Sequence, residues 1–423
     1  MAKAFSAPGK AFLAGGYLVL DPNYDAYVTA LSSRMHAIIE PSGIVNSNDS
    51  VLHVLSPQFK EGDWKYRIEY ESQAIEEVNG KKNPFLEAAA KTVLSYAQPK
   101  DKFNLKVTIF SDPGYHSQNN TIKQASSNGQ KSFLFHDLSI NDVPKTGLGS
   151  SAGLVSVVTT ALMSYFEPGS ESSIDNLHNL AQIAHCLAQK KIGSGFDVAA
   201  AIYGSIKYRR FQPSVVNDVL AVLETDPTHF PQAVKAVVEK QWDFKHLKCS
   251  LPSGVKLLMG DIEGGSETPK MVSKVLQWRK ENPTESKQIY EYLNKANNEF
   301  MDAVDRLNNA QDEEVIADLT RSLLDIRQGL KQMTEQAHVP IEPEVQTQLL
   351  DRISQLEGCI GGVVPGAGGF DAIAVLVVAS KVGAIKKATA DRPEVYNNVH
   401  WVDLHEEADG LKVENAEDYE GIV

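Results

Sequence analysis

VPKTGLGSSAGL, residues Val143–Leu154, is the stretch that decides the fold of this 423-residue chain. Its small residues include Gly147, Gly149, Ser150, Ser151 and Gly153. The apolar run LVSVVTTALMSYF follows, and this order predicts a tight turn that opens a helix. The first turn of a helix has unpaired N–H groups and the positive end of a dipole, so it can bind phosphate with few basic side chains. A turn that only packs against its neighbours has the same composition, and the stretch alone leaves both interpretations open.

The glycine spacing differs from the two commonest phosphate-binding patterns. GxxxxGK[ST] is absent, and the spacing here is GxGxxxG, far from any N-terminal strand–helix–strand start of a dinucleotide-binding unit. A membrane span is also disfavoured, because the uncharged run from Thr146 to Phe166 is too rich in serine, threonine and glycine.

The composition, 42% hydrophobic and 22% charged residues, is ordinary for a globular protein in water. A net charge of −13 disfavours a nucleic-acid partner and an anionic membrane surface. Three widely spaced cysteines form neither a disulfide framework nor a metal pattern, and the first residues contain no apolar signal region. We therefore expect a cytoplasmic protein that acts on small molecules, and its oligomeric state stays open.

The order of the predicted elements indicates an α+β fold with two domains. Strands are predicted at Leu105–Phe110, Val255–Met259 and Ala372–Ala379. Helices are predicted after Asn83-Pro84 and at Ser173–Lys190, Glu285–Leu307, Glu313–Ala337 and Glu344–Leu356. The prolines of Phe211–Pro252 place the boundary within that segment and give domains 1–215 and 216–423. Ser117–Ser132 is predicted as a mobile polar loop, and the acidic tail from His405 as a solvated end.

Two further segments contain charged residues that could carry chemistry. SAPGKAFLAGGYLVLD (Ser6–Asp21) places Lys10 after a Pro-Gly turn, at the predicted end of a first strand, where it could reach an acceptor in a cleft or simply be solvated. KKIGSGFDVAAAIYGSIKYRRF (Lys190–Phe211) places Asp197 at a helix start, as an N-terminal cap or a functional acid. Strand alternation sends the two arginines that end this segment to opposite faces, so at most one enters a given cleft.

A third glycine-rich stretch, VVPGAGGFDAIAVLVV, covers Val363–Val378. It predicts a turn with close backbone approach before a buried strand, and a plain hairpin fits it as well. In this order and at these separations, the segments quoted above resemble the motifs of the GHMP kinase superfamily. The resemblance extends over essentially the full length.

The resemblance implies an N-terminal domain like ribosomal protein S5 domain 2 and a ferredoxin-like C-terminal domain. The details are most similar to fungal members that transfer a phosphoryl group from ATP to (R)-5-phosphomevalonate, on the route to isoprenoids and sterols. It also implies Mg²⁺ as cofactor, near Ser150 or Ser151, and catalytic roles for Lys10 and Asp197. The ATP-binding residues would be Pro144, Lys145, Thr146, Gly147, Leu148, Gly149, Ser150, Ser151, Ala152 and Gly153. The substrate-binding residues would be Lys10, Tyr17, Ser194, Arg209, Arg210, Ser266 and Gly368, with Gly366–Gly369 lining the cleft.

Two departures from the superfamily pattern matter. Gly16-Tyr17 stands where many members have a Glu-His pair, which favours a phosphorylated acceptor over mevalonate. The helix before Asp197 has His185, Cys186 and Gln189 where other members place a metal-binding glutamate, so the second metal ligand is open. Two other functions also stay open: a kinase for a neutral alcohol, which would lack a basic acceptor pocket, and a nucleotide sensor without turnover, which would not need both catalytic residues.

Overall fold

Two large β-sheets organise the computed structural model, which describes residues 1–43, 49–69, 72–262, 268–310 and 313–422. The strands are β1 Lys3–Ala14, β2 Ala26–Pro41, β3 Ser50–Leu55, β4 Asp63–Ile68, β5 Ile75–Glu77, β6 Asn104–Ser111, β7 Thr121–Ala125, β8 Ser132–His136, β9 Ile206–Arg209, β10 Lys245–Lys248, β11 Val255–Asp261, β12 Cys359–Val363, β13 Ala372–Val378, β14 His400–Trp401 and β15 Lys412–Glu414. The helices are α1 Pro84–Ala97, α2 Ser150–Phe166, α3 Ile174–Gln189, α4 Phe196–Tyr203, α5 Ser214–Thr225, α6 Phe230–Val238, α7 Thr268–Glu281, α8 Pro283–Asn309, α9 Glu313–Ala337, α10 Glu344–Ser354 and α11 Val382–Ala390. The α+β class is confirmed.

The first sheet has the strand order β10-β9-β2-β6-β3-β4-β5, and β1 pairs with both β2 and β15. β2 holds this sheet together because its first residues pair with β9, its last residues pair with β6, and β1 follows its length. α2 packs against β1 and β2, and it also contacts α1, α3 and α4. The predicted phosphate-binding helix is therefore part of the core of this first unit.

The second sheet has the order β12-β13-β11-β14, with antiparallel pairs throughout. α8 and α9 pack along each other, and α9 and α10 pack against β12. α8 also reaches the first sheet, where the rings of Phe300 and Tyr27 meet edge to face at 5.4 Å. β10 and β15 belong to the first sheet although both lie beyond residue 215. The boundary between 215 and 216 stays a prediction.

The segment from Ser117 to Ser132 is not the predicted mobile loop. It contains β7 and reaches the start of β8, and these two strands pair as an antiparallel hairpin. The sequence prediction failed because β7 is mostly exposed and therefore has no apolar alternation. The hairpin is fixed from the other strand, where the Phe133 ring stacks on that of Phe110 at 4.6 Å.

The prediction of a solvated tail from His405 is also wrong. Glu407 donates its N–H to the Ala30 carbonyl, and β15 pairs with β1. Arg34 lies beneath this segment and forms a salt bridge of 3.0 Å with Glu407. Two carboxylates of the tail are thus paired with cations of the first unit, Glu407 with Arg34 and Glu414 with Lys131, and the net charge along the chain does not reveal these partners.

β1 continues through Lys10 to Ala14 rather than ending at the Pro-Gly turn. The pairing with β2 shifts its register between Pro8 and Gly9, so the irregularity is absorbed inside a longer strand. Among the described residues, no helix has both the length and the apolar character needed to cross a membrane.

A buried ion pair supports the glycine-rich turn of the second unit. Arg327 in α9 donates two hydrogen bonds, of 2.9 and 2.7 Å, to Oε1 of Glu342, and both side chains are almost fully buried. The neighbouring Ile341 accepts a backbone hydrogen bond of 2.9 Å from Gly369. The ion pair therefore fixes the segment on which the glycine-rich turn rests.

We expect Arg327→Met to lower the free energy of unfolding by about 3–5 kcal/mol, because it leaves the Glu342 carboxylate buried without its cation. Urea unfolding followed by circular dichroism measures this loss. Arg321→Met is the matched control in the same helix, since Arg321 is exposed and pairs with Asp318 at 3.1 Å. That exposed pair should contribute at most ~1 kcal/mol, and equal losses in the two variants would contradict the role given to the buried pair.

Candidate functional site

The loop before α2 is held in place from two sides. On one side Thr146 donates its N–H to the Tyr115 carbonyl and Ser117 donates to the Pro144 carbonyl. On the other side the N–H of Lys10, in β1, donates to the Leu148 carbonyl at 3.1 Å. The side chain of Leu148 is buried, and Lys145 is exposed. The loop is therefore part of the fold and does not need a ligand to define its path.

The same loop presents a run of free backbone donors. Gly149 is the N-terminal cap of α2 with φ +83°, and no side chain caps the helix. Within the described residues, the N–H groups of positions 147–152 have no acceptor, and the first helical bond is donated by Gly153 to Gly149. Glycine at φ +75° and φ +83°, positions 147 and 149, makes this turn possible. Six unpaired donors at a helix N-terminus form an anion-binding surface.

Lys10 lies directly against this donor run. Its Nζ donates a hydrogen bond of 2.9 Å to the Gly147 carbonyl, and it sits 5.7 Å above the centre of the Phe196 ring. Desolvation lowers the pKa of Lys10, and the charge of Asp197 acts in the opposite direction. The ammonium group is half-buried and next to the place where a phosphate would meet the loop.

Asp197 is the second residue of α4, which follows Gly195 as the N-terminal cap. Gly195 therefore holds the cap position, but Asp197 still satisfies one donor of the first turn, because its Oδ1 accepts a hydrogen bond of 2.9 Å from the Val198 N–H. A methyl group at Gly149 would lie 3.2 Å from Cε of Lys10 and 3.9 Å from Cβ of Asp197, so the three residues converge. Lys10 and Asp197 do not form a direct ion pair within 4.0 Å. They interact through their charges across Gly149.

The two serines at the start of α2 have different surroundings. Ser151 Oγ is 3.1 Å from Nε2 of His185, whereas Ser150 Oγ has no hydrogen-bond partner within the described part of the chain. No three His, Cys, Asp or Glu side chains among the described residues come together as a metal site. Mg²⁺ at a nucleotide takes most of its oxygen ligands from phosphates and water, so one or two serine hydroxyls fit such an ion. A metal role for either serine stays a prediction.

The glycine-rich turn of the second unit meets the first unit at Tyr17. The Tyr17 hydroxyl donates a hydrogen bond of 2.8 Å to the Ala367 carbonyl, and its side chain is buried. A methyl group at Gly16 would lie 3.3 Å from the Gly366 carbonyl oxygen. Gly368 has φ +79° and packs directly on the Ile341 carbonyl. Contacts of Tyr17 and Gly368 with substrate stay predictions, but the contacts of Gly16 and Tyr17 with this turn join the two units.

The two arginines at the end of β9 differ in their hydrogen-bond partners. Arg210 is buried and donates hydrogen bonds of 2.6 Å to the carbonyls of Leu20 and Gly193. Arg209 is half-buried, and no described residue forms a hydrogen bond or salt bridge with its side chain. Ser194, the neighbour of Gly193, accepts a hydrogen bond of 2.8 Å from the Tyr208 hydroxyl through its carbonyl. Arg210 therefore shapes the Gly193–Gly195 turn, and Arg209 has a guanidinium group available for an anion.

Ser266 was also predicted to bind substrate, and it lies outside the described residues. Two supporting residues were missed by the sequence reasoning. The Tyr115 hydroxyl is 3.1 Å and 3.4 Å from the positions that Cβ atoms would take at Gly9 and Gly153, so it fills the space behind the loop. Phe196 lies under Lys10. Glycines at 9 and 153 signalled a close approach, but nothing in the sequence identified the approaching ring.

Comparison with known proteins agrees with this arrangement. The family model described as "GHMP kinases N terminal domain" matches residues 120–205, which include the loop and Asp197. Among solved structures, phosphomevalonate kinase of Streptococcus pneumoniae in complex with phosphomevalonate and AMPPNP superposes with a TM-score of 0.64 at 18% identity, covering 96% of this chain and 99% of that one. Lin0012 of Listeria innocua gives a TM-score of 0.72 at 20% identity, covering 98% and 100%. These likenesses show a GHMP kinase fold.

Sequence relatives are more specific. The phosphomevalonate kinase of Candida albicans is 56% identical over 433 aligned residues, which cover 100% of both chains. That of Aspergillus fumigatus is 36% identical, over 99% of this chain and 98% of its own length. Both of these full-length relatives are phosphomevalonate kinases, and the chain belongs to the phosphomevalonate kinase family.

Proposed function

We propose that the loop Pro144–Gly153, Lys10 and Asp197 carry out the reaction of this family. In that reaction the chain transfers the γ-phosphoryl group of ATP to (R)-5-phosphomevalonate, which gives (R)-5-diphosphomevalonate and ADP in the mevalonate pathway to isoprenoids and sterols. The observation that supports these residue roles best is the hydrogen bond of 2.9 Å from Lys10 Nζ to the Gly147 carbonyl, within the turn of unpaired N–H groups.

The loop binds the phosphates of ATP through its backbone. Phosphoryl transfer depends mainly on positioning and on stabilisation of charge, and six fixed N–H donors at a helix N-terminus provide both. Because the loop is anchored by β1 and by Tyr115 before any ligand binds, little ordering is needed on binding. Mg²⁺ bound with ATP would neutralise charge on the phosphate oxygens. Ser150 or Ser151 would provide one hydroxyl ligand to this ion.

Lys10 stabilises the transferring phosphoryl group. Its ammonium group already lies at the carbonyl of Gly147 and can move to a phosphate oxygen by a rotation of its flexible side chain. Desolvation lowers the pKa of Lys10, and the carboxylate of Asp197 partly offsets this by favouring the charged form. Asp197 is therefore a positioning and charge-supporting partner for Lys10.

A general base is not required for this acceptor. A phosphate monoester has a second pKa near 6 and is mostly dianionic at neutral pH, so its oxygen attacks without losing a proton to the enzyme. The basic acceptor pocket would use Arg209, whose side chain has no partner among the described residues, with Arg210 holding the Gly193–Gly195 turn beside Ser194. Tyr17, Gly368 and Ser266 complete the proposed substrate contacts. The cytoplasmic location stays a prediction.

Release of ADP, coupled to a second enzyme and measured with Mg²⁺·ATP, tests this function. We expect turnover with 5-phosphomevalonate to be at least ~10²-fold above that with mevalonate. Mevalonate lacks the 5-phosphate, so the cations of a pocket built for that phosphate would stay unpaired. Equal turnover would indicate a kinase for a neutral alcohol. Binding of ATP without turnover of either acceptor would indicate a sensor.

Lys10→Met should lower kcat by at least ~10²-fold, the scale of one lost charge contact in the transition state. Steady-state kinetics with 5-phosphomevalonate measures this. Lys3→Met is the matched control, because Lys3 lies in the same strand and also donates to a backbone carbonyl, that of Ser164 at 2.8 Å. Unchanged turnover in the Lys10 variant would remove Lys10 from the mechanism.

Asp197→Asn should lower kcat and move the alkaline limb of the pH profile to lower pH. The charged form of Lys10 is the active one, so activity falls as pH rises through its pKa. Removing the Asp197 carboxylate takes away the charge that raises this pKa, and the fall then begins earlier.

The acidic limb should remain in the Asp197→Asn variant, since it reports the acceptor phosphate. Asp175→Asn is the control, because Asp175 is also acidic, lies in the first turn of α3 and bonds to the Tyr203 hydroxyl at 2.6 Å. It should leave both limbs in place. Loss of the acidic limb in the Asp197 variant alone would show that Asp197 acts as a base.

A further inference from the structure

His185 is a buried polar side chain for which the reaction described above has no use. It lies near the end of α3, and its side chain is only 5% exposed. The ring stacks with that of Phe85 in α1, with 5.8 Å between centroids and an interplanar angle of 30°. Packing between two helices therefore fixes the direction in which its Nε2 atom points.

Nε2 of His185 faces polar groups from both motifs of the proposed phosphate site. Ser151 Oγ lies at 3.1 Å, the side-chain nitrogen of Gln189 at 3.3 Å, and Oδ2 of Asp197 at 4.0 Å. The Ser151 contact is satisfied in either tautomer, because a protonated Nε2 donates to the hydroxyl oxygen and an unprotonated Nε2 accepts from the hydroxyl.

We propose that His185 is a positioning residue for phosphoryl transfer, which holds the first turn of α2 in register with Asp197 through the hydroxyl of Ser151. This proposal rests on the function proposed above. Ser151 is the second residue of α2, and its N–H is one of the six unpaired donors. A rotation of this turn would move the whole donor run relative to Lys10 and Asp197.

His185 acts from behind the donor surface. Its ring lies in the core between α1, α2 and α3, and Ser151 stands between it and the loop. It is therefore not a catalytic residue. The Ser151 hydroxyl is engaged with this ring, whereas the Ser150 hydroxyl in the same turn has no partner among the residues that the structure describes.

Misplacement of reacting groups by about 1 Å can cost ~10²-fold in rate, so loss of this contact should be visible in kcat. We expect His185→Leu, which keeps the volume and removes the hydrogen bond, to lower kcat about tenfold. His185→Gln, whose amide can reach Ser151, should recover at least about a third of the wild-type value. We expect the two variants to have the same melting temperature within the error of the measurement. The difference in kcat between them then does not come from a difference in stability.

A double-mutant cycle with Ser151→Ala separates positioning from general damage. If His185 acts through Ser151, Ser151→Ala and His185→Leu should each cost about tenfold, and the double variant no more than about the same tenfold. Ser156→Ala is the matched control, because Ser156 is buried in the same helix and no described residue forms a hydrogen bond with its hydroxyl. It should leave kcat unchanged.

Multiplicative losses in the cycle, full activity of His185→Leu, or equal kcat in the Leu and Gln variants would each overturn the proposal. Wild-type turnover of 5-phosphomevalonate in the same assay keeps the two proposals apart. Its absence would refute the proposed residue roles as a whole, whereas its presence with any of these three outcomes would refute the role of His185 alone.

Discussion

Repulsion between two phosphate-bearing substrates is the constraint on which the proposed site depends. Two unit charges ~4 Å apart cost about 4 kcal/mol at an effective dielectric constant of about 20, and this chain has a net charge of −13. The structure meets the constraint with backbone dipoles more than with basic side chains. Six N–H groups at the start of α2 lie beside the ammonium group of Lys10. Charge is thus concentrated where the substrates meet, and the remaining surface can stay acidic.

Local signals in the sequence predicted some elements well and missed others for identifiable reasons. Asn83 accepts hydrogen bonds from the first turn of α1, as its position before proline predicted, and the one-sided apolar face of α3 predicted that helix within one residue at each end. β2 escaped prediction because its residues are buried on both faces and show no alternation. The hairpin of β7 and β8 escaped for the opposite reason, since β7 is exposed almost throughout.

The site shows the same division between local and tertiary information. Resemblance to the superfamily named Lys10, Asp197 and the loop, and the structure brings them together around Gly149. The resemblance did not predict that Arg210 donates hydrogen bonds to two backbone carbonyls, because these bonds depend on how the Gly193 turn packs. The partner of Ser151 also needed the structure, because the contact with His185 joins positions 34 residues apart. The motifs point to the groups that we propose do chemistry, whereas packing decides which side chains hold those groups in place.

The return of β15 to the first sheet has a consequence for synthesis of the protein. The hydrogen bond between Ser6 and Glu414 spans 408 residues, so the edge next to β1 stays open until nearly the whole chain has been made. At ~5–20 residues per second, translation keeps that edge unpaired for about 20–80 s. An open strand edge invites pairing with other chains, and the nascent first unit must be protected during that interval. The proposed phosphate-binding loop is translated early, but its sheet is completed only after β15 has left the ribosome.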